Sequence, residues 1–523
     1  MQRRTFLRRS AAWLLAGSSV SALAAACTRT PTGASSSVRP STPVTPSRRA
    51  SWDELATRLR GRLIRPGTAE YPNARLDFNA RFDSIRPRAV VMAESPHDVA
   101  RTIAFARERG MPFAARSGGH SYGGYSLSDG IVIDVSPMAA VRAAPGTATI
   151  GAGAKQIDVA AGLAPSGAIV PGGTCATVGI AGLTMGGGQG ITGRLLGLTC
   201  DSLESATVVT ADGRVVVCDQ GTHPDLFWAL RGGGGGNFGV VTSFTFRTHQ
   251  VSSFTIFSLS WPWSAAASVL DAWQTWGPDA PAPLWSSCRV RWIPGAGPTV
   301  SVGGVWTGSP DGLAAHLTEL STSVGSAPTR SVTTMSYLDA VLYVAGCSGY
   351  PVSACRLAAQ APGGRLQREA SVAKSDFFDG PMGSSAADRL LAAVEARGSG
   401  AALSQQEGGV LLDAWGARIA EAAPSDTAFP HRRARFLAQE FVTFKTQLTS
   451  EVLAANRTWL NGLWRDLRPA ASGFAYVNYI DPDLAGWQEA YYGSNLARLV
   501  QVKRTYDPDD VFHFAQSVPT SLG

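Results

Sequence analysis

Short β-branched runs and one amphipathic stretch alternate between residues 89 and 249. Ile131-Val132-Ile133-Asp134-Val135 and Thr207-Val208-Val209-Thr210 read as strands, whereas Val99, Ile103, Ala104 and Ala106 recur at helical spacing. Asp212-Gly213, between Val209 and Arg214-Val215-Val216-Val217, predicts a hairpin turn. From about Ser252 to Arg465 the pattern changes to Trp-rich strands, Phe257 to Trp261 and Val300 to Trp306, mixed with Ala-rich helices around Leu313 to Leu320 and Leu390 to Ala396. Phe436 to Phe444 alternates as a strand, and Glu451 to Leu467 sets Leu460, Leu463, Trp464 and Leu467 at the spacing of a packed helix face. The layout is α+β: a first domain over 52–250, a second over 251–465 in which helices cover an antiparallel sheet, and a C-terminal segment, 466–523, that completes the first.

The first 27 residues read as an address. Gln2-Arg3-Arg4-Thr5-Phe6-Leu7-Arg8 is a twin-arginine pattern, and Ala11 to Ala26 is apolar but too interrupted by Gly17, Ser18, Ser19 and Ser21 to span a membrane. Leu23-Ala24-Ala25-Ala26-Cys27 resembles a lipoprotein cleavage box with its Leu one place early, so a lipid anchor at Cys27 and ordinary cleavage after an Ala both stay open. Either way the expected destination is extracytoplasmic, reached through the export machinery in the folded state. Thr28 to Ser51, rich in Pro, Ser, Thr and Gly, reads as a flexible tether.

Composition narrows the reading further. The 523 residues are 45% hydrophobic and 16% charged, enough for a sizeable core in two or three domains. The net charge of +7 comes from dispersed Lys and Arg with no aromatic-interleaved stripe, so nucleic acid is excluded as the expected partner. Of the seven cysteines, Cys347 and Cys355 are the pair chosen for a disulfide in an exported protein, and Cys200, Cys218 and Cys288 are expected as buried thiols.

Two glycine turns carry the chemistry. Arg116-Ser117-Gly118-Gly119-His120-Ser121 follows the apolar run Met111-Pro112-Phe113-Ala114-Ala115, and its glycines let consecutive N–H groups face inward as a nest for a pyrophosphate, with Arg116 beside them as a planar charge. Downstream, Gly172-Gly173-Thr174-Cys175-Ala176-Thr177-Val178-Gly179 places a thiol in a loop of small residues. Taken alone, His120 fits a hydrogen-bonded loop residue better than a covalent one. The second turn shifts that balance, because two nucleophilic side chains on two such turns could hold one cofactor at two points. A rival reading is that Gly188-Gln189-Gly190-Ile191-Thr192-Gly193, with Asp212 further on, is a dinucleotide fingerprint. It fails because Leu195-Leu196-Gly197-Leu198-Thr199 lacks a helical stripe and the hairpin turn already accounts for Asp212.

These motifs, with Thr199 to Gly213, Phe429-Pro430-His431-Arg432, Tyr476-Val477-Asn478-Tyr479 and Tyr491-Tyr492-Gly493 through Gln516-Ser517, resemble the berberine-bridge-enzyme-like flavoproteins, within the p-cresol methylhydroxylase (vanillyl-alcohol oxidase) type of FAD-binding fold. The resemblance implies FAD bound bicovalently, through its 8α-methyl group to His120 and through C6 to Cys175. It also implies cofactor contacts from Arg116, Ser117, Gly118, Gly119, Ser121, Val178, Gly179, Gly182, Gly239, Val241 and Gln516, and no metal. Ala176 stands where relatives commonly carry Pro, and Ala515 where they often carry Asn.

Oxidising an alcohol by hydride transfer to flavin requires a group to take the hydroxyl proton, and a carboxylate or an assisted phenolate serves if its pKa is tuned. Tyr479 matches a family base, and Glu440, on the strand face it shares with Ala438 and Val442, matches the place of an active-site Glu or Gln. Val178, three residues after the bridging Cys, resembles the small residue that admits O2 in oxidases, so hydrogen peroxide is the expected product. The expected substrate is a bulky alcohol, a saccharide first and a secondary-metabolite alcohol second. A dehydrogenase of the same fold and a non-catalytic ligand-binding lipoprotein are the alternatives.

Overall fold

The computed structural model describes residues 50–251, 253–444 and 448–522. The address, Cys27 and most of the tether lie outside these. The tether's last residues belong to the fold: Ala50 packs against the core and Ser51 caps the helix Trp52–Arg58, its Oγ accepting from Glu54 N. That corrects the boundary drawn at Ser51, since a Ser three residues before a Glu is a capping box.

Two sheets form the first half. Arg62–Ile64, Ala89–Met92, Ile131–Asp134 and Phe113–Arg116 lie in that order, the last three parallel. All four residues of Ile131–Asp134 are buried, which its unbroken apolar run requires between covered faces. The helix Pro96–Glu108 buries Val99, Ile103, Phe105 and Ala106, while Ala104 faces outward. Val141–Ala144, Thr147–Gly151, Val240–Arg247, Leu203–Val209 and Val215–Asp219 form an antiparallel sheet. Asp212 accepts from Thr210 Oγ1 and Arg214 Nε within its hairpin, and the helical turn Gly193–Leu196 stops at Gly197, so no dinucleotide unit forms.

Seven antiparallel strands make the largest sheet, ordered Thr329–Met335, Phe254–Trp261, Gly297–Trp306, Leu284–Ile293, Glu407–Ala414, Phe436–Phe444, Ala370–Phe378. The helices Ala266–Asp279, Leu313–Val324, Ser384–Ala396 and Ser450–Leu467 bury their apolar faces in the core beneath it, through Leu270, Leu317, Leu390 and Leu463. Along each strand alternate residues face those helices and the other set faces away. In Phe436–Phe444 the helix-facing set is Phe436, Ala438, Glu440, Val442 and Phe444. The chain's last segment returns to the first half: Lys503 Nζ donates to Asn237 O and Phe512 O, and Val518 N to Asn237 Oδ1. Cys347 and Cys355 are bonded, and Cys200, Cys218 and Cys288 are buried free thiols.

Candidate active site

A cavity of about 720 Å³ lies where the three large sheets and the C-terminal segment meet. Both glycine turns line it, and they touch backbone to backbone. A Cβ on Gly118 would stand 2.2 Å from Gly179 N, and one on Gly179 would stand 2.4 Å from Gly118 N, so only two glycines permit the approach. Gly119 takes φ +67°, which turns the chain toward His120. Ser117 Oγ donates to Ala152 O, and Ser121 Oγ accepts from Tyr125 N. Gly182, Val178, Gly239 and Val241 complete this wall, and a Cβ added at Gly182 would meet no protein atom within 4 Å.

The two nucleophiles converge. His120 stacks on Phe78, ring centroids 4.0 Å apart, and its Nε2 is 2.9 Å from Thr177 Oγ1, two residues beyond Cys175. Thr177 therefore engages one ring nitrogen and leaves Nδ1 outside that contact. Burial, with a smaller effect of Lys155, lowers the His120 pKa to about 3, so the imidazole is neutral at working pH and keeps a lone pair for bond formation. Cys175 is an exposed free thiol on the cavity wall, and desolvation there, then Glu369, raises its pKa.

Arg116 does not play the expected part. Its guanidinium is spent inside the protein: Nε donates to Asp134 Oδ2 at 2.6 Å, Nη1 lies 3.6 Å from Asp77 Oδ1 and donates to Leu76 O, and Nη2 bonds Ala74 O. Two buried carboxylates compete for the one cation, so Arg116 pins the histidine turn rather than facing a phosphate. Asp77 stays poorly compensated, and burial raises its pKa to about 7. Backbone N–H groups are then the donors left for a diphosphate.

Tyr479 lines the cavity, stacked on Tyr122 with centroids 5.4 Å apart and set edge-on to Tyr476 at 5.1 Å. Burial, then Tyr122 and Asp413, raises its pKa well above that of a free phenol. Glu440 is not in the cavity. It is fully buried on the helix-facing side of the sheet, both oxygens without a hydrogen bond, opposite Lys374 in register, and burial together with Asp376 raises its pKa. Strand alternation gives the cavity position to its neighbour, Gln439, whose Nε2 donates to Tyr122 Oη at 2.7 Å. Gln516 is also absent from the lining: it is buried and its Nε2 donates to Asp481 O, bracing the loop that carries Tyr479.

Sequence reasoning missed two residues of the cavity lining, Gln439 and Tyr122, and one buried carboxyl whose charge acts on Tyr479, Asp413. Gln439 was readable, because Ala438, Val442 and the flanking Phe residues mark the core face and put residue 439 on the other. Tyr122 had a weaker signal, its place next to the histidine turn. Asp413 had none: it faces Ser287 across the pairing of Glu407–Ala414 with Leu284–Ile293, and burial raises its pKa to about 6 against the opposing hydrogen bond from Ser287.

The cavity fits a flavin dinucleotide. It offers a backbone cradle that side chains would fill at Gly118 and Gly179, bare main chain at Gly182, and two side-chain nucleophiles on adjoining turns.

The FAD binding domain family matches residues 87–219, and the family described as berberine and berberine like matches residues 475–519. The uncharacterized FAD-linked oxidoreductase YgaK of Bacillus subtilis is 34% identical over 470 residues, which is 88% of this chain and 98% of its own. Chitooligosaccharide oxidase of Gibberella zeae is 28% identical over 499 residues, 91% of this chain and 96% of its own. The solved structure of Physcomitrella patens BBE-like 1 superposes with a TM-score of 0.81 at 28% identity, covering 90% of this chain and 99% of its own.

Proposed function

Because the chain belongs to the berberine-bridge-enzyme-like FAD-linked oxidoreductases, we propose that it oxidises an alcohol, a saccharide in the first instance, with its FAD linked to both His120 and Cys175. The observation that carries this reading is the position of Tyr479, which lines the same cavity as His120 and Cys175. FAD held by His120 and Cys175 would supply the two-electron acceptor for the hydride of the carbinol carbon, with O2 as the final oxidant and H2O2 as its product.

The rest is the work of side chains. A phenol whose pKa is raised this far is a poor base alone, so Tyr479 accepts the hydroxyl proton only as it passes its own onward. Asp413, on the strand face it shares with the cavity-lining Leu411 and at about 6, is ionised at neutral pH and would take that second proton. Gln439 holds the Tyr122 hydroxyl, and the Tyr122 ring in turn fixes the plane of Tyr479. Val178 keeps the wall beyond Cys175 low, which favours O2 entry and the oxidase over the dehydrogenase. The name of the Gibberella zeae relative supports a sugar as the first substrate to try. Export through the twin-arginine route remains part of the proposal, supported by a disulfide suited to an oxidising compartment.

An anaerobic screen of mono- and oligosaccharides and of aromatic alcohols for bleaching of bound flavin tests the reading, with peroxide measured after readmission of air. Bleaching in wild type that slows at least ~100-fold in Tyr479→Phe is expected. Bleaching at the wild-type rate in that variant would remove Tyr479 from the proton path, and flavin that no alcohol bleaches would remove the activity.

A further inference from the structure

A second cleft, of about 280 Å³, opens away from the flavin cavity and shares no lining residue with it. Its walls come from both halves of the fold. The strand end Val240–Arg247 and the segments around Asp201 and Arg231 form one side, and residues 418–427 form the other. Three guanidinium groups line it: Arg231, Arg247 and Arg418.

Two of the three carboxylates of the cleft, Asp201 and Glu421, are already paired with arginines. Asp201 accepts two hydrogen bonds from Arg432, at 2.8 and 2.7 Å, and one from Leu198 N. Glu421 is paired with Arg418 one helical turn away, and Asp426 Oδ2 accepts from Ala423 N at 2.8 Å. Among the described residues neither Arg231 nor Arg247 forms a salt bridge. Arg231 donates to Asp426 O and stacks on Phe227 at 4.5 Å, while its Nε is buried without an acceptor. Arg247 has one contact of 3.3 Å, to Asp201 O. Arg231 and Arg247 thus line one cleft without an ion-paired carboxylate of their own, the charge of Arg231 being tempered only by Asp201 and Asp426 nearby. Burial, and to a smaller extent Arg247 and Arg418, lower the pKa of nearby His249.

From this we infer that the cleft binds a small ligand bearing a tetrahedral oxyanion, a phosphate or sulfate group. Such a group offers several acceptor oxygens to planar donors that carry fixed positive charge. It would neutralise Arg247, offset the charge of the Arg231 guanidinium that lines the cleft, and bridge the two halves of the fold. The ion alone and a monoester of a sugar share this chemistry, and the cleft volume accommodates either.

The test uses the FAD-loaded protein, so that the diphosphate nest of the main cavity is already filled. Thermal midpoints are measured against increasing phosphate, sulfate, glucose 1-phosphate and glucose, with NaCl holding ionic strength constant. A saturable rise with the oxyanions and none with glucose is expected, with apparent Kd weakened at least tenfold in Arg247→Ser and in Arg418→Ser. Both substituted side chains are exposed, so folding survives their loss. Glucose 1-phosphate binding tighter than phosphate identifies an ester as the ligand, and equal binding identifies the ion. No saturable rise over NaCl, or the same rise and Kd in both variants, overturns the inference.

Discussion

Glu440→Gln is expected to stabilise the protein at neutral pH and leave its chemistry alone. Glu440 has 0% exposure and neither oxygen is hydrogen-bonded, so ionising it in place is opposed by burial and by Asp376 beside it. Its pKa rises from the ordinary 4.5 to about 8 in the fold. Between those values the native state holds a proton that the unfolded chain has released, so unfolding gives up a proton and rising pH favours it. Stability tied to this group is present below 4.5 and is lost as pH climbs toward 8. At 1.36 kcal/mol per pKa unit the loss reaches ~3 kcal/mol by pH 7. An isosteric amide does not titrate, so the variant's advantage is absent near pH 4 and grows to that size at pH 7. With an unfolding entropy of ~2.1 cal/mol/K per residue over roughly 475 residues, ~3 kcal/mol corresponds to ~3 °C. Differential scanning fluorimetry of both proteins from pH 4 to 8 reads the shift. A midpoint difference that stays constant with pH, or a variant less stable at pH 7 than at pH 4 relative to wild type, would refute the reasoning. Loss of flavin reduction in the same variant would return Glu440 to the chemistry from which strand alternation removes it.

Other outcomes follow from the same geometry. Gly118→Ala forces a carbon to within 2.2 Å of Gly179 N, so the protein is expected to emerge without retained flavin, whereas Gly380→Ala, outside the cavity and with no atom within 4 Å of the added carbon, folds normally and keeps it; equal ratios of visible to ultraviolet absorbance in the two would count against the paired-turn cradle. Because Asp413 must be ionised to accept a proton, the rate of flavin reduction should fall about tenfold per pH unit below about 6, and Asp413→Asn should lower the rate ~100-fold or more and abolish that limb; a limb that survives the substitution assigns it to another group. Opening the Cys347–Cys355 bridge, which spans eight residues, should cost about 2.5 kcal/mol by chain entropy, read as a lower thermal midpoint in Cys347→Ser, and an unchanged midpoint would show the bridge adds nothing.

Local pattern carried much of the fold. The parallel strand Ile131–Asp134, the hairpin at Asp212-Gly213, the strand Phe436–Phe444 and the packed face of Ser450–Leu467 were all readable, because periodicity and turn chemistry act over a few residues. The two nucleophilic turns were readable for the same reason, as each is a contiguous motif. Their contact through Gly118 and Gly179 joins residues 61 positions apart, and no local rule encodes it. Arg116 shows the limit most clearly: beside a glycine nest it reads as a phosphate ligand, and only Asp134, brought in by the parallel sheet, and Asp77, from the loop after Tyr71–Ala74, turn its charge inward. Glu440 and Gln439 differ by one step along a strand, and which of them faces the cavity depended on where the helices lay. Sequence alone thus determined the elements and the reactive atoms, through interactions short along the chain. Tertiary structure decided which charges are compensated and which faces open on the cavity, since burial and long-range pairing set both.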